Sequence, residues 1–226
     1  DDVFGDLSVC GLGTYAEYVS VPENAIALKP ANLTFEEAAA VPMAAVTALQ
    51  ALRDKGQIQP GHKVLIHGAS GGVGTFAVQI AKSFGAEVTA VCSTRNLDRA
   101  RSVGADHVID YTQEDFTKNG QTYDVIFDVP GKSSFSRNLG SLKQNGRYLL
   151  ANPGLSHMLQ GPWTSMRNGK KVIFGAGNQK TEGLIFLRDL MDAGQIKAVI
   201  DRRYSLEQIA EAHRYVETGQ KREMSS

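Results

Sequence analysis

The chain has 226 residues, 42% of them hydrophobic, and its 24 basic and 24 acidic side chains cancel to a formal charge of zero. That balance creates no field that would hold a nucleic acid or an anionic membrane surface, and no apolar run approaches the roughly 20 residues of a membrane-spanning helix. The length suits one large or two small domains, and Cys10 and Cys92, far apart in sequence, read as free thiols of a reducing, cytoplasmic compartment.

In chain order, residues 15–20 and 25–29 read as strands, with no strand expected before them. Residues 33–41 are expected to form a helix with Thr34 as N-cap and Glu37 three positions on, a capping box. Pro42 breaks that helix, and a second spans 44–55 and stops at Gly56. Then comes the most informative stretch, KVLIHGASGGVGTFAVQIAKSFGAEVTAVCS at 63–93. Val64, Leu65 and Ile66 suit a strand buried on both faces, and Gly68, Gly71, Gly72 and Gly74 crowd the turn after it. Phe76, Ala77, Ile80, Ala81 and Phe84 recur at helical spacing, Gly85 stops the helix, and a second strand runs from Glu87 to Cys92. Such a βαβ unit binds nucleotides for a physical reason. Glycines let the chain reverse sharply, approach a pyrophosphate and pack helix on strand, while the unpaired amides of the new helix face the phosphates. Further strands are expected at 107–110, 123–128, 147–151 and 171–176, alternating with helices, which predicts an α/β chain with a doubly wound parallel sheet. Helices at 182–193 and 206–217 follow.

The end of the second strand bears on which dinucleotide binds. An NAD site presents an acidic side chain about 20 residues after the glycines, whereas a 2′-phosphate calls for hydroxyls and an arginine. Here stand Ser93, Thr94 and Arg95; Asp98 belongs to the next helix and Glu87 to the far end of the strand. Ser93 or Thr94 could equally cap the helix expected at 96–103, and the two roles are compatible.

Six motifs carry a resemblance over the whole chain: GTYAEYVSVP at 13–22, AAAVPMAAVTALQAL at 38–52, GHKVLIHGASGGVG at 61–74, GADHVIDY at 104–111, YDVIFDVPG at 123–131 and SLEQIAEAHRYVETG at 205–219. On them the chain resembles the zinc-independent medium-chain dehydrogenase/reductases, in the NADPH:quinone oxidoreductase (zeta-crystallin-like) and enone reductase branch. The resemblance implies a Rossmann sheet at 43–178, with an incomplete GroES-like, mainly β catalytic domain. Residues 1–42 would be the later part of that domain and 179–226 the return to it. Members begin roughly a hundred residues earlier and end on a further closing strand.

It also implies NADPH as cofactor, a quinone or α,β-unsaturated carbonyl as acceptor, and a homodimer joined through the last sheet strand at 171–176. In similar enzymes the phosphates meet the turn at Ser70, Gly71, Gly72 and Val73. The 2′-phosphate and adenine would meet Ser93, Arg95 and Tyr111, and the nicotinamide half Thr47, Val129, Pro130, Asn152, Gly175 and Asn178. Pro130 departs from the double glycine common at that loop.

Mechanistically, direct hydride delivery from the nicotinamide rests on holding donor and acceptor aligned, and no catalytic side chain is named. Zinc chemistry needs three protein ligands around an open position. Met43 stands where zinc-dependent relatives supply a cysteine, and His62, His67, His107, His157 and His213 are scattered surface or packing residues, His67 serving packing beside the glycine turn. None of the seven tyrosines has the lysine four positions on that short-chain reductases use. Two alternatives stay open: an NADPH-binding sensor or interaction module without turnover, and a zinc-dependent alcohol dehydrogenase with its ligands outside this chain.

Overall fold

The computed structural model describes residues 1–7, 11, 13–131, 133–153, 169–175, 181–217 and 224–225. It falls into two compact units, one made of residues 1–46 and 178–226 and the other of residues 47–177.

The chain opens with strand β1 (Val3–Gly5), antiparallel to β2 (Ile26–Leu28) so that Phe4 faces Ala27, both buried. Residues 15–20, expected as a strand, are not one: Tyr15 is 68% and Tyr18 91% exposed. An alternating pattern becomes a strand only when a neighbouring backbone completes its ladder, and β2 is completed by β1, a strand that sequence reasoning missed. Helix α1 (Phe35–Ala39) has the expected capping box: Glu37 N donates to Thr34 Oγ1 and Thr34 N to the Glu37 carboxylate. Helix α2 (Pro42–Leu49) starts two residues earlier than expected, with Pro42 in its first turn, where the missing N–H costs nothing. It continues as a π-helical turn, Gln50–Lys55, closed by Gly56 N on Ala51 O at 2.7 Å.

The second unit is built on a six-stranded parallel sheet. Its strands are β3 (Lys63–His67), β4 (Glu87–Cys92), β5 (His107–Asp110), β6 (Tyr123–Asp128), β7 (Leu142–Leu150) and β8 (Lys171–Phe174), in the spatial order β5-β4-β3-β6-β7-β8. Helices α3 (Gly72–Ser83), α4 (Leu97–Ser102) and α5 (Phe135–Gly140) lie between successive strands in the sequence. Val64, Leu65, Ile66, Val125, Ile126 and Phe127 are all buried, as continuous apolar runs in a sheet covered on both faces must be. Burying each such side chain contributes about 1.5–3 kcal/mol. One face gathers Leu65, Val91, Ile126, Tyr148 and Leu150 with Ile109 and Phe116.

Strand β7 begins five residues before the expected 147. Between the pairs Tyr123–Leu142 and Val125–Arg147 its register shifts, with Asn145 in the left-handed region at φ 62°. Asp124 holds the detour, accepting from Lys143 Nζ at 2.7 Å and Lys63 N at 2.8 Å. Strand β8 ends at Phe174 rather than 176; residue 176 lies outside the described residues.

The first unit resumes with α6 (Thr181–Asp192), whose Leu184, Leu187 and Met191 are buried, and Asn32 Nδ2 donates to Met191 O at 2.9 Å. Strand β9 (Ile200–Arg202), also unforeseen, is followed by α7 (Ile209–Glu217) and pairs in parallel with β10 (Met224–Ser225).

Candidate functional site

From β3 the chain steps outward to β4 and β5, then returns to the other side of β3 as β6. At such a reversal the loops leaving the carboxyl ends of two adjacent strands run apart and leave a crevice, the place where open α/β sheets bind ligands. Here it lies beyond His67 and Asp128, which face each other in register.

On the β3 side the turn is anchored by Gly68 N and Ala69 N on Val91 O, at 3.0 and 3.2 Å. Gly74 is where helix meets turn: a Cβ there would lie 2.1 Å from Gly68 O, so only glycine allows the contact. The N-cap of α3 is Gly71, which brings no side chain to the helix's first amides. Ser70, Gly71, Gly72 and Val73 are all partly exposed around those amides. This cradle fits a pyrophosphate.

At the end of β4, Ser93 Oγ accepts from Asn96 Nδ2 at 3.1 Å, which leaves its own proton to donate. Neither Ser93 nor Thr94 caps a helix through its side chain. Residues 94–96 form a 3₁₀ turn, and Thr94 Oγ1 donates instead to Asp110 Oδ2 at 2.5 Å. Asp110 also accepts from Thr112 N and Oγ1 at 2.9 and 2.8 Å, and its carboxyl is held below the usual range, chiefly by the Thr94 hydroxyl. Arg95 is exposed and has no ion pair among the described residues. Tyr111, 56% exposed, follows β5 and meets the His67 ring edge-on, centroids 6.3 Å apart. Ser93, Arg95 and Tyr111 thus share the carboxyl ends of neighbouring strands β4 and β5.

On the β6 side, Val129 N bonds His67 O at 3.1 Å, and Asn152 Nδ2 donates to Val129 O at 3.0 Å. Pro130 packs directly over Gly68: a Cβ on Gly68 would lie 2.8 Å from two of its ring carbons. Thr47 and Gly175 line one small cleft together with Ala51, Lys55, Phe127, Leu149 and Ala151. Lys55 Nζ donates to the carbonyls of Phe174 and Gly175 at 3.1 and 2.5 Å. Asn178 lies outside the described residues, as do Cys10, Gly154, His157 and Gly177.

Sequence reasoning missed the polar centre of the crevice. Asp128 is fully buried, yet its carboxylate accepts from His67 Nδ1 at 3.0 Å, Gly131 N at 3.0 Å, Tyr148 OH at 2.8 Å and Ser133 Oγ. Burial raises the carboxyl's pKa, but the bonds from His67 and Ser133, the His67 charge and the Tyr148 bond outweigh it and leave it lowered. Burial, with the Asp128 charge beside it, pushes the Tyr148 phenol well up. His67 does pack, against Tyr111 and Phe116, but its closest partner is this carboxylate. The available signal was an acidic residue ending the apolar run YDVIFD with a histidine ending the run KVLIH.

Met43 is 61% exposed, and among the described residues no three histidine, cysteine or acidic side chains come together.

These features define an α/β protein with a Rossmann-like domain. Residues 103–222 match the family model described as zinc-binding dehydrogenase. The chain is 35% identical, over 97% of its length, to 2-methylene-furan-3-one reductase of Solanum lycopersicum, of which it spans 55%. It is 34% identical, over 94% of its length, to the chloroplast envelope quinone oxidoreductase homolog of Arabidopsis thaliana, of which it spans 68%. The solved quinone oxidoreductase of Coxiella burnetii matches with a TM-score of 0.79 and 30% identity, over 88% of this chain and 62% of that one. The chain belongs to the zinc-binding dehydrogenase family, within the medium-chain dehydrogenase/reductases. Among the described residues no helix is long and apolar enough to cross a membrane.

Proposed function

We propose that this chain is the cofactor-binding part of an NADPH-dependent, metal-free reductase of quinones or α,β-unsaturated carbonyls. The observation that supports the cofactor choice is the end of β4, where an exposed Arg95 with no ion pair among the described residues and a Ser93 hydroxyl with its proton left to donate stand in place of the acid an NAD site uses. The acidic side chain nearest in register, Asp110 opposite Cys92, already accepts bonds from two threonines. The substrate class is supported by the relatives, named as a furanone reductase and as quinone oxidoreductases.

Ser70, Gly71, Gly72 and Val73 would hold the pyrophosphate. Ser93 and Arg95 would hold the 2′-phosphate with Tyr111 beside the adenine, and Thr47, Val129, Pro130, Asn152, Gly175 and Asn178 would border the nicotinamide. When bound, NADPH would supply a hydride to the acceptor's electron-poor carbon, with the balancing proton coming from water or from a residue outside this chain. The protein's part is orientation and exclusion of bulk water. The protein would work in the cytoplasm, and β8, the last strand of the described sheet, would pair across a twofold axis in a homodimer.

The test is oxidation of NADPH and of NADH in the presence of a simple quinone and of an enone. Turnover with either acceptor, faster with NADPH, supports the proposal; tight cofactor binding without turnover on any acceptor favours a sensor instead.

A further inference from the structure

The buried carboxylate beside the crevice has two oxygens with separate tasks. Asn138 Nδ2 gives its hydrogens to Ser133 Oγ at 2.5 Å and Tyr148 OH at 2.8 Å. An amide nitrogen can only donate, so both hydroxyls must accept from it, and each sends its own proton to Asp128 Oδ2. That oxygen is locked into the core by Ser133 and Tyr148, which Asn138 holds in turn. The other, Oδ1, is left for His67 Nδ1 and for the amide of Gly131.

Gly131 closes the loop after β6, with φ 65° and so little room that a Cβ would lie 2.1 Å from Asn152 O. The same loop is tied by Val129 N to His67 O and by Asn152 Nδ2 to Val129 O. It therefore sits between the carboxyl ends of β3, β6 and β7, on the side of the crevice away from Ser93 and Arg95.

We infer that Asp128 is a positioning residue for the nicotinamide half of the dinucleotide. Its Oδ1 fixes the Gly131 amide, and through it the Val129–Gly131 segment against which that half would lie. This rests on the proposed reading of the crevice as a dinucleotide site and adds to it a residue that touches no ligand. An amide in place of the carboxylate can still present one oxygen to Gly131, but it leaves the two hydroxyl protons without an acceptor; alanine loses both functions.

Calorimetry on wild type, Asp128→Asn and Asp128→Ala should use two probes, NADPH and adenosine 2′,5′-bisphosphate, the latter reaching the β4–β5 side and the glycine turn but not the Val129–Gly131 segment. Asp128→Ala should weaken NADPH about tenfold or more, the value of one hydrogen bond to a charged group. Asp128→Asn should cost less than about threefold, and the bisphosphate should bind all three proteins alike. Loss of overall order would weaken both probes together. Equal weakening of both, or unchanged NADPH affinity in Asp128→Ala, overturns the inference. Should the alanine variant not fold, amide exchange in the wild type decides: the Gly131 amide must exchange at least about a hundredfold more slowly than in the unfolded chain, and rapid exchange overturns the inference. A wild type that binds neither NADPH nor the bisphosphate overturns the crevice reading itself, with the Gly131 exchange rate still reporting on the carboxylate.

Discussion

Arg95→Ala is the perturbation that most directly separates a phosphate-binding role from a structural one. The side chain is exposed and has no ion pair among the described residues, so its removal breaks no described ion pair. Substitutions at such positions shift stability by no more than about 0.5 kcal/mol. If the guanidinium holds the 2′-phosphate, the lost charge-assisted bond is worth about 1.5–3 kcal/mol, or roughly tenfold to a hundredfold in affinity. Calorimetry should therefore show NADPH binding weakened by at least about tenfold, with NADH unchanged because it has no 2′-phosphate to lose. Since the site is solvent-exposed, the NADPH advantage of the wild type should also shrink as salt rises from about 0.05 to 0.5 M, as the screening length falls below about 5 Å. Equal weakening of the two cofactors would refute the reasoning, as would a wild type that prefers NADH.

Gly74→Ala should destabilise the chain by about 1–3 kcal/mol or more in urea unfolding, because the new methyl overlaps Gly68 O and Ala69 Cα; an unchanged midpoint would mean that the turn yields freely. Asp128 has a depressed carboxyl, so its contribution to stability is present above the unfolded-state value near 4 and is lost as pH falls through the lower folded-state value. The urea midpoint of wild type should accordingly fall more steeply between about pH 5 and pH 2 than that of Asp128→Asn, and parallel curves would contradict this. Cys92 is buried, and its burial pushes the thiol up to about 11, so in a Cys10→Ser background the folded chain should react with a thiol reagent at pH 8 only on unfolding. Light scattering at micromolar concentration should give the mass of a dimer; a monomer would count against β8 as an interface.

The βαβ unit was legible because its signals are local. Glycines, an apolar triplet and a helical repeat within 31 residues leave one arrangement open, and the capping box at Thr34 and Glu37 is as short-range. Residues 15–20 misled because alternation describes a strand's faces and not its partner, and the pairing that formed joins β2 to the three residues of β1. The start of β7 was missed because Lys143, Gln144 and Asn145 look like a loop, and what makes them part of a strand is Asp124, on a different strand. The Asp128 network was hidden for the same reason on a larger scale. His67, Ser133, Asn138 and Tyr148 belong to four segments, none suspicious alone, and only the parallel order of β3, β6 and β7 brings them to one carboxylate. The Ser93 and Arg95 positions were readable because the strand that ends before them was.

The contact between Pro130 and Gly68 has an evolutionary consequence. The ring occupies the volume that a side chain at position 68 would need, and the left-handed φ of 82° there independently disfavours anything but glycine. Position 130 therefore inherits a freedom that position 68 has given up: it can hold a rigid ring where the commoner motif has a second glycine. Bulk at 130 is tolerated because 68 stays bare. Restoring glycine at 130 would loosen the loop and still leave position 68 frozen by its backbone alone, so variation at this contact is open on one side only.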